Sequence, residues 1–254
     1  MDPLELGLSD SASNQNLEVS LIFPAYNEAQ KIGRAVSRAT EALTALTDSF
    51  EIIIAEDGST DKTKEIATRL SKEYNSVKYI HYDERLGRGE ALRRAFTLSK
   101  GSIIIYMDVD LSTEVGFIEP LIDAIRNGWD LATGSRMLPE SVTTRSYIRE
   151  LTSRAYNMLI QILFNTSVKD HQCGFKAFKR ASLYKILNKV EDSNWFWDTE
   201  VIVLMARNRF KIKEIPIVWT EGSRSKVKIF SDSIQMGAKA VSLWRRLSRT
   251  RGLS

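Results

Sequence analysis

Through its first half the chain alternates short, dense apolar runs with stretches whose apolar residues recur every three or four positions. The runs are VSLIFP (Val19 to Pro24), EIIIAE (Glu51 to Glu56), VKYIHY (Val77 to Tyr82) and SIIIYMDVD (Ser102 to Asp110), with a shorter one from Asp130 to Thr133. They have strand length, and most are apolar throughout, as expected of strands covered on both faces. Helical spacing fills the intervals: Glu28 to Leu46, Lys64 to Tyr74, a segment opened by Gly87-Arg88-Gly89 and stopped by Gly101, and Val115 to Arg126. Ser59-Thr60-Asp61 is a good helix start. The alternation predicts an α/β fold with a mostly parallel central sheet and helices on both faces.

The second half is less regular. Ile148 to Phe164 has the pattern of an amphipathic helix, Lys169 to Lys179 that of a loop or short strand, Asp198 to Asn208 a helix, Phe210 to Trp219 a strand and Ser231 to Leu247 a final helix. No internal repeat or low-complexity linker divides the chain. The expected organisation is a flexible lead-in over 1–17, one catalytic-size domain over 18–229 and a basic amphipathic helix over 230–254.

In open parallel sheets, ligands bind beyond the carboxyl ends of the strands. Here those ends carry Pro24-Ala25-Tyr26-Asn27-Glu28, Glu56-Asp57-Gly58-Ser59, Asp83-Glu84-Arg85 and Asp108-Val109-Asp110. Each alone reads more readily as a helix cap or a solvated turn than as a site. Four on one edge point to a site.

Composition narrows the classes without naming one. The chain has 254 residues, 43% hydrophobic and 27% charged, which suits a folded α/β domain. A net charge of +4 is too mild to indicate a nucleic-acid partner. The single cysteine, Cys173, excludes an internal disulfide, fits a reducing compartment and reads as structural. The N-terminus lacks the pattern of a signal peptide, and no apolar run is long enough to span a bilayer. The expected location is cytoplasmic.

Two carboxylates one residue apart at a strand end can turn toward one hard cation, Mg²⁺ or Mn²⁺, whose remaining ligands are often phosphate oxygens. Such a cation helps a diphosphate to leave. Asp108 and Asp110 have that spacing, but the triplet alone is common. PAYNE, EDGSTDKT and DVDLS in this order resemble the inverting glycosyltransferases of family 2, which have the GT-A fold. GSRM (Gly134 to Met137), RELTSRAYNML, DHQCGFKAFKR, WFWDTE and EIPIVWTEGSRSK narrow the likeness to the dolichyl-phosphate sugar synthases, with QCGFKAFKR and IPIVWTE nearer the glucosyl than the mannosyl enzymes. The QxxRW motif of processive polymerases is missing, as is a GxGxxG dinucleotide loop after the first strand.

The resemblance implies roles. Pro24, Ala25, Tyr26 and Glu28 line the nucleotide pocket, Asp57 accepts from the base, and Arg85 lies near the nucleotide. Asp108 meets the nucleotide sugar and metal, and Asp110 the metal. A glutamine used as a further ligand in mannosyl members is replaced here by Ser112, which leaves that ligand open. Arg136, Arg149, Ser153 and Arg224 match positions that bind a lipid phosphate, with Lys226 as a further candidate. Asp198 and Glu200 stand where other members carry a catalytic acid, and Gln172, Gly174 and Lys176 shape the donor-sugar pocket. Trp195, Phe196 and Trp197 read either as a platform for sugar or prenyl chain or as plain core. The implied reaction is inverting transfer of a hexose, from UDP-glucose in the first instance and GDP-mannose in the second, to dolichyl or polyprenyl phosphate. The rivals are transfer to a sugar hydroxyl, with Asp198 as base, and a non-catalytic nucleotide-sugar module. A membrane-surface contact is expected from the last helix, where Ile234, Ala238, Val241, Trp244 and Leu247 fall near one face beside Arg245, Arg246, Arg249 and Arg251. A core-packed helix with a basic tail fits the same residues.

Overall fold

The computed structural model describes residues 17–221 and 229–249. Seven strands form one sheet: β1 (Val19–Ala25), β2 (Phe50–Asp57), β3 (Val77–Tyr82), β4 (Ile103–Met107), β5 (Leu131–Ser135), β7 (Phe175–Lys179) and β8 (Ile212–Pro216). Their order is β3-β2-β1-β4-β7-β5-β8. All pairings are parallel except those of β7, which runs antiparallel between β4 and β5. A two-stranded parallel ribbon of β6 (Val142–Thr144) and β9 (Val218–Thr220) lies outside this sheet.

The strand pleat divides the core in two. In β1, Leu21 and Phe23 enter one cluster and Ile22 the other. The first cluster packs under α1 (Ile32–Thr44), α2 (Thr63–Glu73) and α4 (Ile118–Arg126). In α4, Ile118, Leu121, Ile122 and Ile125 share one buried face, each worth about 1.5–3 kcal/mol once removed from water. The second cluster packs under α3 (Arg88–Leu98), α5 (Tyr147–Phe164), α6 (Arg180–Leu187), α7 (Trp197–Arg207) and α8 (Ile229–Arg249).

Two expectations gain detail, and a third falls almost wholly outside the described residues. α8 is part of the body rather than an appendage, since Met236, Ala240, Leu243 and Leu247 are buried in the second cluster. Of the face expected to meet a membrane, Leu247 is thus turned inward, while Val241 and Trp244 are exposed. The run from Phe210 to Trp219 is two strands, because Ile217 between them drops into the first cluster and moves the chain from the main sheet to the ribbon. The expected lead-in lies outside the described residues apart from Leu17, whose carbonyl accepts from the Ser102 amide (3.0 Å).

Candidate functional site

The loops after β1 and β2 brace each other, which explains their residue types. The Asn27 amide donates to Ser59 Oγ (2.9 Å), and Asn27 Oδ1 accepts from the Thr60 amide (2.9 Å). The Glu28 amide donates to Thr63 Oγ1 (2.8 Å). Asn27 adopts the left-handed conformation (φ 54°), which asparagine tolerates. Gly58, also left-handed, lets β2 pass close under the next loop, where a Cβ would meet the Arg85 amide at 2.8 Å. Asp57 accepts from the Leu86 and Gly87 amides (2.6 and 3.0 Å), so this carboxylate shapes the loop that carries Arg85. Arg85 in turn stacks over the Tyr26 ring, 4.0 Å from its centre. The larger Glu56 bridges the Ser59 amide and His81 on β3.

β4 ends at Met107, and the chain turns sharply through the acidic triplet. Asp110 Oδ1 accepts from the Ser112 amide (3.0 Å), with Leu111 between them held at a positive φ of 53°. For a leucine this conformation costs on the order of 1–2 kcal/mol. Across the sheet, β7 enters immediately beside the triplet, where the Asp108 amide donates to the Gly174 carbonyl (3.2 Å). A Cβ at position 174 would sit inside the Asp108 carboxylate. The glycine of QCGFK is therefore there to let that carboxylate in.

A chain of buried charge runs from Asp108 into the protein. Arg88, at the start of α3, donates to Asp108 Oδ1 (2.8 Å) and to Asp198 Oδ2 (2.6 Å). Asp198 also accepts from Lys176 (2.7 Å) and from the Tyr106 hydroxyl. Burial alone would raise the Asp198 pKa, but Lys176 and Arg88 outweigh it and hold the carboxyl below its usual range. Asp198 is thus a saturated carboxylate and is poorly placed to accept a proton from a hydroxyl nucleophile. Glu200 stands elsewhere: it accepts from the Glu191 and Asp192 amides (3.1 and 2.8 Å) and from Arg246 of α8, so it ties a loop and a helix together. Lys176 is fully buried in its ion pair, and Phe196 and Trp197 are core residues.

The opposite wall of the cleft is basic. Arg136 makes a two-pronged pair with buried Asp170 (2.7 and 2.8 Å), which uses two of its five guanidinium donors and leaves the others available. Asp170 is held well below the carboxylate range: the Arg136 charge and hydrogen bonds more than offset its burial. Arg149 pairs with Glu221 (2.8 Å). Arg145 differs from both, since its half-buried guanidinium has no ion pair among the described residues and its Nε has no hydrogen-bond partner there. Burial, and then the neighbouring Arg136 charge, push its pKa down. Arg145, like Arg88, is a cleft residue that sequence reasoning passed over. Its only signal was a third arginine within fourteen positions of the other two.

These elements enclose a cleft of about 310 Å³, within the range of small-ligand sites. Pro24, Ala25, Tyr26, Glu28, Asp57 and Arg85 line one end, with Asp108 and Asp110 beyond them. Arg136, Arg149, Ser153, Gln172 and Asp198 line the same cleft, together with Arg88, Arg145, Trp195 and Tyr156. Arg224 and Lys226 lie outside the described residues. Among the described residues no group of three carboxylate, histidine or cysteine side chains converges on a metal-sized point. The acidic triplet offers two carboxylates and, beside them, the buried Ser112 Oγ, which has no hydrogen-bond partner. That donor set fits a hard cation whose shell is completed by ligand phosphate and water.

The sequence profile of Glycosyl transferase family 2 matches residues 20–187, about two thirds of the chain. The chain belongs to glycosyltransferase family 2. Among relatives of this glycosyltransferase, glycosyltransferase AglD of Haloferax volcanii is 42% identical over 94% of the chain, which spans 39% of AglD. Dolichyl-phosphate beta-glucosyltransferase of Saccharomyces cerevisiae is 33% identical over 92% of this chain and 76% of its own length. The human protein of that name is 29% identical over 87% of this chain and 72% of its own length. In three dimensions the fold matches glucosyl-3-phosphoglycerate synthase of Mycobacterium tuberculosis, solved with Mn²⁺, UDP and glucosyl-3-phosphoglycerate. The TM-score is 0.65 at 18% identity, covering 89% of this chain and 78% of that one. The fold is therefore the GT-A architecture that the motif resemblance implied, with the mostly parallel sheet that the alternating pattern predicted.

Proposed function

We propose that this glycosyltransferase transfers glucose from UDP-glucose, with inversion, to the phosphate of a dolichyl or other polyprenyl phosphate. The names of the dolichyl-phosphate beta-glucosyltransferase relatives support the acceptor class. The observation that carries the reading is the charge arrangement of the cleft. One end presents Asp57, Asp108 and Asp110, and at the other Arg145, without a carboxylate partner among the described residues, lies beside Arg136. Two adjacent guanidinium groups with one acid between them leave a deficit of negative charge that a phosphate monoester fills.

The division of labour follows. Tyr26, Arg85 and the loop held by Asp57 receive the nucleoside. Asp108, Asp110 and Ser112 would hold Mg²⁺ or Mn²⁺, which when bound neutralises the departing diphosphate. Arg88 keeps Asp108 oriented. Arg136, Arg145, Arg149 and Ser153 seat the acceptor phosphate, which is ionised near neutral pH and attacks the anomeric carbon without a general base. The saturated state of Asp198 agrees with a nucleophile that has no proton to give up. The working location is the cytoplasmic face of a membrane.

Incubation with labelled UDP-glucose or GDP-mannose, dolichyl phosphate and Mn²⁺ tests this directly. The expected product is a glucosylated lipid from UDP-glucose, abolished by EDTA. Arg145→Ala should raise the KM for dolichyl phosphate by about tenfold or more while leaving the donor KM within twofold. No labelled lipid with any donor, or an unchanged acceptor KM in the variant, would reject the assignment.

A further inference from the structure

Twelve large hydrophobic side chains are exposed among the described residues, and six of them lie on one helix, α5. Ile148, Leu151, Met158, Leu159 and Ile162 are between 37% and 74% exposed, and Tyr147 stands at the helix start at 79%. Their spacing, with exposed Ala155 between them, follows one stripe along about four turns. The opposite face of the same helix is already satisfied: Tyr156 and Ile160 are in the core, and Asn157 accepts from His171. α5 is thus apolar on both sides, one packed and one bare.

α8 packs beside α5 and extends the bare surface. Its Lys239 and Arg246 flank is bound to Asp192, Glu191 and Glu200. The other flank carries Val241 and Trp244, exposed by 36% and 43%. The net charge of this surface is positive. The exposed residues of α5 and the described exposed residues of α8 include Arg154, Arg245 and Arg249; the one acid of α5, Glu150, is partly exposed and pairs with Arg154 (2.7 Å), so Arg245 and Arg249 supply the net charge. A contiguous apolar stripe with a net positive border complements an anionic lipid surface, with apolar side chains below the headgroups and guanidinium groups among the phosphates.

We propose that α5, with the Val241–Trp244 flank of α8 beside it, is the surface by which this protein docks in the plane of an anionic bilayer. The first two turns of α5 also carry Arg149, Thr152 and Ser153 into the cleft. Docking through the bare stripe therefore holds the basic end of the cleft within one helix diameter, about 10 Å, of the headgroup layer. This rests on the proposed lipid-phosphate acceptor only for its purpose; the docking itself is independent of any substrate.

The test uses vesicles of phosphatidylcholine with and without phosphatidylglycerol, free of prenyl phosphate and donor. The protein should co-sediment with the anionic vesicles, and Leu151→Glu/Met158→Glu/Ile162→Glu should weaken binding about tenfold or more. These side chains are exposed, so circular dichroism and Tm should match the parent. Because Cys173 is buried, a polarity-sensitive dye on Ile162→Cys reports the stripe alone; its emission should shift to the blue on vesicles. Activity of the triple variant on a short, water-soluble prenyl phosphate should be unchanged. That separates failure of the docking surface from failure of the acceptor assignment. No binding by the parent, unchanged binding by the triple variant, or a dimer dispersed by the same three substitutions would overturn the proposal, the last by making a second copy the occupant.

Discussion

Gly174 shows how a single residue sets the acidic end of the cleft. Its backbone carbonyl receives the Asp108 amide, and the space a side chain would need is filled by the Asp108 carboxylate. Gly174→Ala should therefore displace Asp108 rather than unfold the protein. The expected result is a fall in kcat of about tenfold or more, a weakened response to Mn²⁺ and a Tm within a few degrees of the parent; equal loss of Tm and activity would point to a packing defect instead. The same crowding explains why Arg88 escaped sequence analysis. Its codeword there was a helix start between two glycines, whereas its partners, Asp108 and Asp198, lie 20 and 110 positions away.

At the level of elements, α8 is held by a charged latch as well as by its apolar face. Arg246 reaches Glu200, Glu191 and the Lys189 carbonyl, and Glu200 is almost fully buried. Arg246→Ala leaves that carboxylate with two backbone donors and no cation. Discounted for the partial exposure of the arginine, the cost should be about 2 kcal/mol, seen as a lower Tm and as faster amide exchange in α8 than in β4. The face by which α8 packs was not legible in its sequence. Two stripes of similar apolarity, one through Met236 and Leu243 and one through Val241 and Trp244, run along it, and only the position of α5 selects between them. β7 was hidden for a related reason. FKAFK reads as half polar, yet Lys176 is buried as the partner of Asp198. The parallel strands, by contrast, declare themselves, because burial on both faces leaves nothing but apolar residues to write.

For the whole molecule, the acid limit of stability is set largely beneath the cleft. His171 is buried, its Nδ1 pairs with Asn157 Oδ1 (2.9 Å) and its Nε2 has no partner among the described residues. Burial brings its pKa from the ordinary 6.5 down to about 4, opposed by the Asp170 charge and assisted by Lys176. The unfolded chain thus takes up a proton between these values that the folded chain refuses. Stability is complete above pH 6.5 and declines as the pH falls toward 4, by about 3 kcal/mol. Below the ordinary aspartate value of 3.8 the Asp170 pair adds a further loss, since its folded pKa is depressed. Thermal unfolding across this range should show the slope, and His171→Gln should flatten it between 6.5 and 4 whatever its effect at neutral pH. The order of the sheet carries a last consequence, for synthesis. β1 to β4 pair among themselves as they are made, but the second edge of β4 waits for β7, and β5 pairs only with β7 and β8, both of which come later in the chain. A nascent chain stalled after β5 has a finished nucleoside loop and an Arg136 without Asp170 to hold it. The two ends of the cleft therefore mature at different times on the ribosome, and the open edges of β4 and β5 need guarding by a chaperone until the last third of the chain emerges.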